Sequence, residues 1–270
     1  MPEGHTLHRL ARQQQKLFGG SVVSASSPQG RFADGAALLD GRVLRRAEAY
    51  GKHLLHHYSG GLLLHVHLGL YGKFVDGAGV PPEPRGALRL RLVGGGHWAD
   101  LRGPTACELY TPAEAHALFD RLGPDPLRPG ADPEQAWLRL SRSRTSIAAL
   151  LMDQSVVAGI GNVYRAELLF RHRVDPFLPG RSLPAQVWSA MWADLVTLMQ
   201  HGVRVGRIET LFPADRPRKR GALARSEAGY VYRRTGLACR ICGTEVRTQP
   251  LVGRNLYWCP NCQPPGATGQ

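Results

Sequence analysis

Apolar positions along the chain change their period twice. Residues 3–18 put Leu7, Leu10, Ala11 and Leu17 on one helical stripe, and Gly19 and Gly20 close it. Between residues 20 and 110 the period shortens. Runs at 21–25, 42–49, 53–58, 62–68, 72–76, 88–93 and 97–101 are separated by Gly, Pro or Asp. Short strands at regular spacing with turn signals predict a β-sandwich or barrel. Residues 122–133 interrupt both patterns with Gly123, Pro124, Pro126, Pro129, Gly130 and Pro133, the composition of an interdomain linker. Helical periodicity follows from Glu134 to about Gly206. The segment 212–228 is basic and turn-rich, with Arg216, Arg218, Lys219 and Arg220, and reads as a mobile loop.

At 270 residues the chain exceeds one typical domain, and 43% hydrophobic content supplies real cores. No apolar run approaches the roughly 18 residues that a membrane helix needs. The amino terminus has no charged-then-apolar signal segment, so a cytoplasmic protein is expected. The formal net charge is +13, which favours a polyanionic partner. Only four of the 34 basic residues are lysines (Lys16, Lys52, Lys73 and Lys219), so an arginine-rich source contributes to that balance. Residues 233–270 are the most one-sided part, with five basic groups and one acidic.

That last segment holds Cys239-x2-Cys242 and, sixteen residues on, Cys259-x2-Cys262. The spacing is that of a four-thiolate structural zinc site, expected to bind one Zn2+. Metal folds a hairpin too small for a core of its own. Arg254, with Gly253 before it, lies in the turn between the cysteine pairs, where an arginine can clamp phosphates. Zinc ribbons also dock proteins, so the spacing gives the metal and not the partner. Cys107, the fifth cysteine, reads as a small buried hydrophobe.

Other positions carry chemistry. Removal of Met1 would leave Pro2 as a free secondary amine, able to attack a sugar C1′ and form an iminium; alternatively Pro2 merely starts a helix. Glu3 beside it is either an acid/base or a carboxylate compensating the helix dipole. Lys52 follows Gly51 at a strand start and can meet a phosphate as a point charge, or is a solvated edge lysine. Residues 146–174 form two apolar helices around a turn containing Gly159 and Gly161, with Asn162 at the N-cap of the second helix, where free N–H groups attract a phosphate. Leu70 and Tyr71, at the turn after the 62–68 strand, either cap a core or wedge into a base stack.

Four of these features occur in one order along the whole chain: Met1-Pro2-Glu3-Gly4, Gly51-Lys52-His53-Leu54-Leu55, the turn Gly159-Ile160-Gly161-Asn162 leading to Glu167, and the four-cysteine hairpin with Arg254. Together they resemble the formamidopyrimidine-DNA glycosylase / endonuclease VIII family. Gly4 and the Met-Pro-Glu-Gly-His-Thr start look like its endonuclease VIII side, in particular an actinobacterial branch. The resemblance implies an α+β chain of two domains: an N-terminal β-sandwich with an N-terminal helix, and a C-terminal helical domain with a helix–two-turn–helix and a β-hairpin zinc finger. The expected divisions are a catalytic domain at 1–120, a linker at 121–133, a helical domain at 134–228 and the zinc finger at 229–270.

The resemblance also implies a bifunctional DNA glycosylase and abasic-site lyase of base excision repair, acting on oxidised bases, pyrimidines by expectation. Pro2 would be the nucleophile and Glu3 the acid/base, with β,δ-elimination to follow. Lys52, Asn162 and Arg254 would contact phosphates at the lesion, and Leu70 and Tyr71 would fill the void left by an extruded base. Damaged double- or single-stranded DNA would be the partner, the protein a monomer, and the bacterial nucleoid its place of work. Three positions depart from the family pattern: Thr6 stands for a glutamate, His5 for a proline, and Gly69 for a polar residue.

Overall fold

The computed structural model describes residues 2–217, 221, 223, 224 and 226–269. Met1 and, within the segment expected to be a mobile loop, Arg218, Lys219, Arg220, Ala222 and Arg225 lie outside the described residues. The chain forms two compact units, Met1–Arg121 and Leu122–Gln270.

In the first unit, α1 (Gly4–Phe18) buries Leu7, His8, Ala11, Gln14 and Phe18. It packs on β2 (Arg42–Tyr50) and β3 (His53–Tyr58). The other strands are β1 (Val22–Ser26), β4 (Leu63–His67), β5 (Lys73–Ala78), β6 (Leu88–Gly94), β7 (His97–Arg102) and β8 (Ala106–Tyr110). All pair antiparallel in the order β5-β7-β6-β1-β2-β3-β4-β8. β1 divides its pairing: Val22 and Val23 face β2, and Ser24, Ala25 and Ser26 face β6. The sheet therefore turns over at β1 into two layers, and their inner faces share one core. Leu44, Leu54, Leu64 and Val66 from one side meet Leu90, Leu92, Ala99 and Leu101 from the other, closed by Leu7 and Phe18 of α1. Truncating a fully buried leucine such as Leu92 to alanine is expected to cost about 2–5 kcal/mol, because the void refills poorly.

The strand periodicity is readable in the sequence, but three elements fall outside its runs: α2 (Ala33–Leu39), β8 and α3 (Pro112–Asp120). α2 is a short, alanine-rich piece that buries just Ala36 and Leu39, too few positions for a periodic signal. α3 has a legible start. Thr111 accepts from the Glu114 amide, and the Glu114 side chain accepts from the Thr111 amide, a reciprocal capping box with Pro112 in the first turn.

The second unit contains α4 (Pro133–Leu140), α5 (Ile147–Leu150), α6 (Asn162–Arg171), α7 (Ala185–Val205), and the hairpin β9 (Arg247–Leu251) and β10 (Arg254–Trp258). Leu140, Ile147, Leu151, Ile160, Leu168, Leu195 and Met199 form its main core, and Leu256 of β10 joins them. Residues 122–133 are tied into this unit. The Gly123 amide donates to the Gln154 carbonyl (2.9 Å), the Ala158 amide donates to the Pro124 carbonyl (3.1 Å), and Asp125 is buried. None of the helices among the described residues is long and apolar enough to cross a membrane.

Candidate active site and nucleic-acid interface

The start of the chain is built around the first turn of α1. Glu3 is the N-cap residue, with extended φ and ψ of −124° and 179°, and its carboxylate makes no cap on the helix. It is nevertheless fully buried. Pro2 stands one residue before the cap, partly exposed, so it is not the proline that pre-sets a helix at its first position. The carboxylate is therefore buried at the positive end of the α1 dipole without capping the helix. His5 follows it, also buried. Burial first, and then nearby positive groups, push its imidazole down to about 4. The Thr6 hydroxyl lies 3.3 Å from the His5 Nε2 atom.

Lys52 is in the connection between β2 and β3, not in a strand, because Tyr50 pairs directly with His53 and leaves Gly51 and Lys52 as a two-residue turn. Strand pairing then sets His53 opposite His67 and lays His65 beside them on the same face. The His53 Nδ1 and His65 Nε2 atoms are 2.9 Å apart, and the His53 and His67 ring centres are 5.0 Å apart. Burial, then the neighbouring histidines and Lys52, hold His53 down at about 3. His65 is lowered to about 4 by burial and then His67, and His67 is lowered by burial and then Lys52. The Gly69 amide donates to His67 Nδ1 (3.2 Å), which leaves the ring proton on Nε2. The result is a set of neutral imidazoles beside one lysine. The sequence points to Lys52 directly, whereas His67 has only a faint signal, its alternation with His65 and His53 across paired strands.

Leu70 and Tyr71 occupy the turn between β4 and β5, 40% and 86% exposed, so they do not cap a core. The Gly72 amide, donating to the Leu68 carbonyl at 2.9 Å, tightens the turn beneath them. Cys107 is a buried core residue, its thiol pushed up to about 12 by burial.

In the second unit the turn before α6 is braced by Gln154. Its amide nitrogen donates to the Met152 and Ile160 carbonyls, and its oxygen accepts from the Gly159 amide. The N-cap of α6 is Gly161, and Asn162 is the first helical residue, a correction of one position. The side chain of Asn162 is buried and committed. Its amide donates to the Asn255 carbonyl in β10 (2.9 Å), and its oxygen accepts from the Arg165 guanidinium. Arg165, fully buried, also reaches the Leu251 and Asn255 carbonyls. Arg254, at the first position of β10, is exposed, and its guanidinium donates to the Gly253 carbonyl. Asn162 and Arg254 are thereby brought to neighbouring positions, through Asn255.

Glu167, on the same helix, is a second residue whose role the sequence does not announce. Its buried carboxylate accepts from the Thr210 hydroxyl (2.6 Å) and from the amides of Tyr230 (2.7 Å), Val231 (2.9 Å) and Tyr232 (2.7 Å). Gly229 permits this approach, since a Cβ there would lie 2.9 Å from the carboxylate. Glu209 holds the preceding stretch in a similar way, accepting from Arg207, Arg216 and the Leu223 amide.

The four cysteines converge. All four sulfurs lie within 4.8 Å of one another, with 3.9 Å between Cys239 and Cys262 and 3.5 Å between Cys242 and Cys259. Zinc–sulfur bonds of about 2.3 Å in a tetrahedron put sulfurs about 3.8 Å apart, so the donors fit one Zn2+. The site is structural: four thiolates leave no open coordination position.

Three family models match the chain. They are the Formamidopyrimidine-DNA glycosylase N-terminal domain over residues 1–106, the Formamidopyrimidine-DNA glycosylase H2TH domain over 122–213, and a zinc finger found in FPG and IleRS over 236–265. The chain is 56% identical over 267 residues to Endonuclease 8 1 of Mycobacterium tuberculosis, covering 97% of this chain and 100% of that one. It is similar to the crystal structure of the MutM (Fpg) protein from Thermus thermophilus, with a TM-score of 0.77 and 30% identity over 97% and 98% of the two chains. The fold alone is shared with Lactococcus lactis Fpg in complex with DNA containing an oxidized pyrimidine. There the TM-score is 0.81 and the identity 22%, over 97% and 100% of the chains.

Proposed function

Since the chain belongs to the formamidopyrimidine-DNA glycosylase / endonuclease VIII family and is a DNA-repair glycosylase of that kind, we propose that it removes oxidised pyrimidines and cuts the strand through a Schiff base on Pro2. The observation that carries this reading is Glu3: a carboxylate beside Pro2, fully buried, that does not cap the helix it precedes.

The Pro2 nitrogen, freed when Met1 is removed, attacks C1′ of the damaged nucleotide. The C1′–N bond to the base breaks, and the departing base takes up a proton. Glu3 gives a proton to the ring oxygen as the sugar opens, leaving an iminium between Pro2 and C1′. The iminium acidifies C2′. Loss of that proton breaks the bond between C3′ and the 3′ phosphate, and a second elimination expels the 5′ phosphate. Lys52 is the cation on hand for the phosphate at this site, with the Nε2–H of His67 beside it. Asn162, whose side chain is taken up by Asn255 and Arg165, offers its backbone N–H to a phosphate at the positive end of the α6 dipole, Arg254 at the zinc hairpin holds another, and Leu70 and Tyr71 fill the place of the extruded base. Zn2+ bound by Cys239, Cys242, Cys259 and Cys262 folds the hairpin that carries Arg254. A monomer acting on duplex or single-stranded DNA in the bacterial cytoplasm accords with this chemistry.

Borohydride reduction tests it. Wild-type protein is expected to become covalently trapped on abasic-site DNA, and Pro2→Gly or a retained Met1 is expected to abolish trapping. Protein that binds this DNA and never traps would overturn the lyase mechanism. A panel of lesion-bearing oligonucleotides tests the base preference; faster release of oxidised purines than of oxidised pyrimidines would reverse it.

A further inference from the structure

The zinc hairpin turns in two residues. Leu251 pairs with Arg254, so Val252 and Gly253 alone connect β9 to β10. Both have positive φ, 52° and 64°, as the type I′ turn requires. Gly253 adopts that conformation without cost. Val252 does not, because a β-branched side chain in the left-handed region crowds its own backbone, and Asn, Asp or Gly normally stands there. Packing does not compensate. Val252 is 58% exposed and belongs to neither apolar cluster of its unit. Folding alone would be served better by asparagine.

The neighbourhood says what the valine is for. Two residues on, exposed Arg254 stands at the same tip, in a segment with five basic residues and one acidic. An apolar knob beside a guanidinium matches a DNA minor groove, whose walls are deoxyribose C–H surfaces and whose rims are phosphates. Resting on the glycosylase reading above, we infer that Val252 is a DNA-contacting residue, which lies against the sugar walls of the groove while Arg254 engages phosphate. Because every nucleotide offers the same sugar, the contact adds affinity without reading sequence.

The test uses the zinc-loaded full chain and a duplex bearing an abasic-site analogue, with binding measured over a range of salt and stability by thermal melting. Val252→Asn should melt at least as high as wild type and bind about fivefold more weakly, as expected for losing part of a valine's apolar contact. Its salt slope should be unchanged, because no charge is lost. Val252→Ile, which keeps the knob, should bind like wild type, and Arg254→Ala should lose about one phosphate contact from the slope. Wild-type affinity in Val252→Asn overturns the inference. So does equal weakening in Val252→Ile, or a flattened slope in Val252→Asn, which would reduce the valine to a positioner of Arg254. Wild-type protein that ignores the duplex overturns the glycosylase reading and this inference with it; the variant results overturn the inference alone.

Discussion

The side-chain amide of Asn162 donates to the backbone carbonyl of Asn255 at 2.9 Å, across 93 residues of chain. One hydrogen bond thus fixes the first residue of α6 to the strand that begins with Arg254. Arg165 doubles the link by reaching the same carbonyl and the Asn162 oxygen. These three contacts join the start of α6 to the hairpin that carries the cysteine ligands.

Asn162→Ala removes the donor to Asn255 and the acceptor of a buried guanidinium together. Leaving such groups underused is expected to cost about 1–3 kcal/mol, read as a lower urea midpoint of the zinc-loaded protein. Asn162→Asp, which keeps the acceptor for Arg165, should lose less. A midpoint unchanged in Asn162→Ala would show that the link is dispensable.

Glu167→Gln tests the anchor of residues 230–232. Its carboxylate accepts from four donors, whereas an amide offers one oxygen and a nitrogen that is itself a donor facing those amides. We expect a loss of about 2–4 kcal/mol, more than for a surface substitution, with faster hydrogen exchange at Tyr230, Val231 and Tyr232. Exchange as slow as in wild type would refute the anchor.

Much of this site is legible in the sequence because metal spacing and strand alternation are local signals. The Cys239–Cys262 ligand set, the strand runs before residue 110 and the exposed turn at Leu70 and Tyr71 all have such signatures. What escapes depends on partners far along the chain. Nothing near Glu167 announces that it will meet the amides of residues 230–232, and nothing near Asn162 announces Asn255. The sheet fold at β1 is similarly silent, because one strand serves two neighbours. Val252 is silent for the opposite reason: its φ, not its residue type, makes it unusual.

Removal of zinc by a chelator should loosen the 236–265 segment and weaken DNA binding together, since Cys239, Cys259 and Cys262 are buried beside Val246 and their sulfurs would be left crowded together without the ion that draws them in. Cys262→Ser should reproduce the loss. Near-wild-type DNA affinity in metal-free protein, with circular dichroism unaltered, would separate the hairpin from binding.

Acid should destabilise the first unit earlier than carboxylate titration alone allows, because it buries histidines in the neutral form. His56 is fully buried, its Nδ1 is 3.4 Å from the Tyr58 hydroxyl, and burial, then His57, lowers it to about 3. His53 is held at about 3 and His5 at about 4. In the unfolded chain each titrates near 6.5. Above that value neither state takes the proton, and the histidines leave stability independent of pH. Below it the unfolded chain gains protons that the folded chain refuses, so stability falls as pH drops from about 6.5 toward 4, by up to about 1.4 kcal/mol per pH unit for each such histidine. Carboxylates of the same unit held low by hydrogen bonds, such as Asp40, which accepts from the Ala25 amide and the Ser24 hydroxyl, add their loss further down. Denaturant titrations at pH 7.5, 6, 5 and 4.5 read the slope directly. Replacing His56 by leucine should preserve stability at pH 7.5 and reduce the slope below pH 6 by about one proton, whereas a wild-type curve flat between pH 7 and 4.5 would mean that these imidazoles are protonated, and satisfied, in the folded protein.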